Sequence, residues 1–185
     1  MGTYFLDVIN FIGHYVIKGI FISVLVIIVS RKLFKGKINI QNAVNIIACI
    51  LVGYAMLSLL YYLIYFILHW HGDTYTTAFW ARATGTYWFA YWLMLVSNII
   101  MPLLLLFKKL RLKIYVVFML SVIVNIGWLF ESLVIHVTGI HRNYSPGLSV
   151  FLPYNQEFIT ILNGLLLGVG VMVAGNLRFK TAPEL

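Results

Sequence analysis

Apolar residues in this chain fall into five long runs with polar punctuation between them: Leu6–Ser30, Gln41–Leu68, Thr86–Phe107, Lys113–Val137 and Phe158–Leu177. Each reaches the roughly 20 residues that a helix needs to cross the hydrocarbon core of a bilayer. The pattern therefore predicts an all-α integral membrane protein with five transmembrane helices in a single domain over residues 1–185. The first four helices are expected to run up and down as a four-helix bundle, with the fifth packed alongside. Connections are short after the first and third runs and longer at His69–Gly85 and Gly139–Glu157.

Composition agrees with that pattern. Of the 185 residues, 62 % are hydrophobic and 10 % charged, against about 45–50 % and 25 % in an ordinary soluble domain. The net charge of +8 would suggest a nucleic-acid partner in a soluble protein. Here the bases gather at helix ends, so no nucleic acid is expected and the charge reports orientation instead. Arg31, Lys32, Lys35 and Lys37 follow the first run, Lys108, Lys109, Arg111 and Lys113 follow the third, and Arg178 and Lys180 follow the fifth. Arg82 and Arg142 alone fall at the other membrane face. The positive-inside rule then places the amino terminus outside and the carboxyl terminus in the cytoplasm. Trp70, Tyr75, Trp80, Tyr87, Trp88, Trp92 and Tyr154 suit an aromatic belt at the outer interface.

Ionisable residues inside a span are costly, and they are candidates for function. Lys18 in the first run and Glu131 in the fourth stand out, with His14 one turn from Lys18. Asp7, Asn10, His14 and Lys18 share one helical face by spacing. At 1.5 Å per residue, His14 lies roughly 12 Å and Lys18 roughly 18 Å below the outer end of the first helix, and Glu131 roughly 10 Å below that of the fourth. Side chains lean toward the amino end of their own helix, so the Lys18 and Glu131 head groups converge in depth. The expectation is a Lys18–Glu131 pair with His14 beside it, as a structural ion pair or as a proton relay. Asn98 and Asn125, at middle depth, read as interhelical hydrogen-bond partners. Gly164, Gly168 and Gly175, with Ala174, read as a small-residue face for packing inside the bundle or for dimerisation.

Other chemistry finds little footing. The single cysteine, Cys49, excludes an intrachain disulfide and a Cys-rich metal or iron–sulfur site. His69, His71 and Asp73 form a short metal-like cluster without further ligands, so no metal is expected there. The five histidines all fall in the outer half or the outer loops, which excludes a stacked pair of b haems. No nucleophile elbow, zinc-protease motif or phosphate loop occurs.

Two stretches carry a family resemblance. The first runs from Ala81-Arg82-Ala83-Thr84-Gly85-Thr86-Tyr87-Trp88 through Ser97-Asn98 and Pro102 to Lys108-Lys109 and Arg111. The second runs from Val124-Asn125-Ile126-Gly127 and Phe130-Glu131 through Val137-Thr138 to His141-Arg142 and Pro146. Their order resembles the NrfD/polysulfide-reductase membrane subunits, and most closely the second half of the ActC-type subunit of bacterial alternative complex III. The resemblance implies a half-length subunit of a quinone-linked respiratory complex, with a structural or proton-handling role and no catalysis of its own. It implies other membrane and electron-transfer subunits as partners beside the lipid bilayer, with any quinone, haem or iron–sulfur centre held by them. No quinone ligand carries over, because the family's quinol site lies in the half that has no counterpart here. The chain departs from the family at Glu131-Ser132, where Glu-Arg is common, at His141-Arg142-Asn143, where His-Arg-Asp is common, and at Leu57-Ser58, where a carboxylate is often found. Two alternatives stay open: a free-standing homo-oligomeric transporter or channel, and a metal enzyme using His69, His71 and Asp73.

Overall fold

The computed structural model describes residues 2–33, 39–68, 74–86, 88–141 and 154–180. Among them there is helix and no strand. The helices are α1 (Gly2–Ile12), α2 (Ile20–Leu33), α3 (Ile40–Leu68), α4 (Thr74–Thr84), α5 (Trp88–Leu95), α6 (Met101–Leu103), α7 (Lys108–Arg111), α8 (Ile114–His141) and α9 (Tyr154–Lys180). Four described helical segments are long and apolar enough to cross a membrane: Asp7–Leu33, Ile40–Ile64, Trp88–Leu106 and Phe158–Asn176. The fourth predicted span falls in α8, which is 28 residues long and whose apolar stretch is described over Ile114–Ile126.

Every long helix leaves large apolar side chains uncovered, among them Leu33, Ile67, Tyr115, Met119 and Leu166, each more than 60 % exposed. In water such a surface would drive association; against lipid it carries no such cost. The chain is a membrane protein on that ground. Its packed interior is a narrow aliphatic seam in which Ile20, Ile27, Ile47, Leu51, Leu105 and Val117 are fully buried.

Two apolar helices are broken at defined points. The first membrane segment is not one regular helix. It passes from α1 through a π-helical turn, Gly13–Ile17, closed by the Lys18 amide donating to the Gly13 carbonyl at 3.2 Å, and through a turn at Lys18 and Gly19 into α2. The second break lies between α5 and α6, where Val96–Ile100 form another π-helical turn just before Pro102. Pro102 has no amide proton to offer the Asn98 carbonyl, which explains the change of register. The segment tightens into a 3₁₀ turn at Leu104–Leu106 and stops at Phe107, whose ψ of 112° is extended.

Small residues let α9 approach the first two membrane segments. Gly164 meets Gly19, Gly168 meets Ser23, and Gly175 meets Ala43, in each case backbone to backbone. Ser23 Oγ donates to the Gly164 carbonyl at 2.7 Å, and Asn42 Nδ2 to the Gly175 carbonyl at 3.4 Å. The glycine face predicted on the last helix is thus occupied by the chain itself. Ala174, grouped with it by sequence, is exposed and lies off that face.

The connection predicted as a polar loop at His69–Gly85 contains the helix α4. Its Phe79 packs edge-on against Phe66 of α3 and Tyr91 of α5, with ring centroids 5.9 and 5.8 Å apart. Trp92 Nε1 donates to the Ala83 carbonyl at 3.1 Å and ties α5 to α4. Aromatic stacking and an indole bond organise this stretch, and hydrophobic run length does not register either.

Candidate functional site

The two π-helical turns face one another across a cavity. Its volume is about 600 Å³, and its lining comes from the first membrane segment, α3, the α5 segment and α8. Asp7, Asn10, His14 and Lys18 all reach it, as do Tyr54, Asn98 and Asn125. His14 belongs to the first π-helical turn and Asn98 to the second. A π-turn inserts a residue and re-aims side chains, and such turns recur where a helix serves a site. Gly13 begins the first turn, and a Cβ there would sit 3.1 Å from the Tyr54 hydroxyl.

Lys18 Nζ lies 2.8 Å from His14 Nδ1. A lysine ammonium has only donors, and a doubly protonated imidazole has only donors. The contact therefore holds when at least one of the two is neutral; with Lys18 charged, it donates to the Nδ1 lone pair and His14 keeps its proton on Nε2. The contact brings two basic groups together within the membrane segment. Phe11 and Tyr15 flank it, their rings 4.7 Å apart, with Tyr15 edge-on to His14 at 5.2 Å.

Asn125 closes the cavity floor. Its Nδ2 donates to the Ile17 carbonyl at 3.3 Å and to the Ser121 carbonyl of its own helix at 2.9 Å. The first bond joins α8 to the end of the π-helical turn, so one side chain supports the irregular backbone that presents His14 and Lys18. Asn125→Leu is expected to cost about 1 kcal/mol, the scale of a buried interhelical bond in a membrane. A change in thermal midpoint in detergent measures it, and no change would mean that the bond carries no load.

The other predicted residues are distributed as follows. Glu131 falls on α8, but its side chain lies outside the described residues, and so does the expected Lys18–Glu131 pair. His69, His71, Asp73, Arg142 and the His141 side chain also lie outside them. Among the described residues no group of three His, Cys, Asp or Glu could hold a metal ion. Asn98 lines the cavity wall. Sequence reasoning missed Tyr54 and Met94, and noted Ser58 only as a departure from the resembled family; the three complete the lining from α3 and α5. Tyr54 and Ser58 stand four apart in an otherwise apolar run, a spacing that puts both on one face and was the available signal.

No protein-family model, curated protein or solved structure matches this chain.

Proposed function

We propose that the chain is a half-length, NrfD-like membrane subunit of a quinone-linked respiratory complex, and that the His14–Lys18 cavity is its proton-handling centre. The observation that carries the proton-handling part is the 2.8 Å contact between two basic side chains inside a polar cavity between membrane segments. Intramembrane ionisable groups are expensive to insert and persist where a pathway needs them. The respiratory assignment rests on the order of residues over 81–111 and 124–146. In this reading α8 is a fifth span, the bases of Arg31, Lys32 and α7 face the cytoplasm of a bacterial inner membrane, and redox centres and quinone belong to partner subunits.

Purification from the native membrane in a mild detergent, with mass spectrometry and a visible absorption spectrum, tests the assignment. Haem-bearing or iron–sulfur subunits in fixed ratio are the expected result. A colourless chain isolated alone overturns it and leaves a free-standing transporter as the working reading. A homo-oligomer built on the glycine face of α9 is disfavoured, since Gly19, Ser23 and Ala43 already fill that face.

A further inference from the structure

Beside the main cavity lies a second of about 110 Å³. The two share Ile9, Asn10, Tyr54, Met94 and Asn98 in their walls, so one begins where the other ends. The smaller one extends along α3 by way of Ser58 to Tyr61 and Tyr62, toward the Leu68 end of that helix. Ser58 is 4 % exposed, and its buried Oγ makes no hydrogen bond of good geometry; the Tyr54 hydroxyl, one turn away on the same face, is its polar neighbour. A buried serine on a helix normally satisfies itself on a carbonyl of the preceding turn, as Ser97 and Ser121 do. Ser58 does not, and it lines the small cavity.

We propose that the two cavities form one water-filled compartment, with water bound at Ser58 as its inner anchor and His14 and Lys18 at its other end. Empty cavities that stay dry are apolar, whereas a polar one with room and partners takes up water. At about 30 Å³ per molecule the small cavity has space for roughly three waters. Asn10, Tyr54, Ser58 and Asn98 offer each of them donors and acceptors along the way. A hydrogen-bonded chain through this compartment gives the His14–Lys18 pair a route for proton exchange toward the Tyr61–Tyr62 end of α3. The inference rests on the proton-handling reading, but what it places in the cavity is water, which is detectable whatever complex the chain joins.

Rapid hydroxyl-radical footprinting of the full chain in detergent or nanodiscs tests it, because radicals born from bound water label the nearest side chains. Three methionines decide the first part. Met56 and Met119 are 45 % and 62 % exposed but face lipid, while Met94 is less exposed and lines both cavities. Water in the compartment makes Met94 oxidise several-fold faster than the other two; exposure alone predicts the reverse order, and that order would overturn the proposal. The second part uses Ser58→Leu, which fills the small cavity, beside Ser58→Ala, which keeps its volume. Labelling of Tyr61 and Tyr62 should fall in the first variant and persist in the second. Unchanged labelling in a folded Ser58→Leu protein would overturn the link between the two cavities. The wild-type methionine comparison needs no variant, so it decides whether the compartment holds water even where Ser58→Leu fails to fold. Hydration without redox partners on purification removes the respiratory assignment and leaves this inference standing.

Discussion

Gly164→Ala will destabilise the protein by about 3 kcal/mol, the upper end of the cost of overpacking a well-packed contact. A Cβ at Gly164 would meet the Gly19 carbonyl oxygen at 2.5 Å and the Ile22 Cβ at 2.8 Å. The first neighbour is backbone, and it lies beside the turn that leads out of the Gly13–Ile17 segment, so neither helix can yield alone. Separating them would also stretch the 2.7 Å bond from Ser23 to the Gly164 carbonyl. In lipid the helices gain little from burying apolar surface against each other, which leaves close packing and such bonds to hold them together. Gly168→Ala should cost less, about 1 kcal/mol, because its nearest contacts would be 3.1–3.3 Å away. Gly170 has nothing within 4 Å, and Gly170→Ala should be neutral or stabilise by up to about 1 kcal/mol through helix propensity. Thermal unfolding of the three variants in one detergent measures the series. Equal midpoints for Gly164→Ala and Gly170→Ala would mean that α9 does not cross α2 at Gly19.

The membrane helices are legible from run length because lipid forbids unpaired backbone and so admits long continuous helices. Ile40–Leu68 is seen within a residue of the apolar run at 41–68. Where the backbone departs from regular helix, the residues give no such signal. Nothing in Gly13-His14-Tyr15-Val16-Ile17 distinguishes a π-helical turn from an α-helical one; the register is supported by Asn125, 108 residues away. The α4 helix is hidden for a different reason: its residues are of mixed polarity, and contacts of Phe79 with both neighbouring helices hold it. On the last helix, Gly164, Gly168 and Gly175 are visible as a small-residue stripe. Their partners Gly19 and Ser23 are not, because the relative register of two helices is set by the whole bundle. The same holds for the site. Asn10, His14 and Lys18 share a face by spacing alone, whereas Tyr54, Ser58 and Met94 join them only once α3 and α5 are packed.

Substituting Lys18 by Met and Glu131 by Gln, singly and together, should give strongly non-additive losses of stability. If the expected Lys18–Glu131 pair forms, either single change costs about 3 kcal/mol, since removing one member of an intramembrane ion pair strands the other in low dielectric. The double variant should recover part of that loss, with a coupling of about 2 kcal/mol, within the range for residues in direct contact. Lys18→Met also removes the 2.8 Å contact to His14, so a second cycle with His14→Phe is needed to separate the two interactions. A contact in which at least one group is neutral lacks the full attraction of opposite charges, and its coupling should be nearer to about 0.6 kcal/mol, the average for membrane hydrogen bonds. The ratio of the two couplings then tells what Lys18 does. A large term with Glu131 and a small one with His14 makes Lys18 the charged half of an ion pair that leaves the His14 lone pair available to accept a proton. A small term with Glu131 and a large one with His14 makes the basic pair itself the structural unit, and the carboxylate of α8 then has to be neutralised elsewhere.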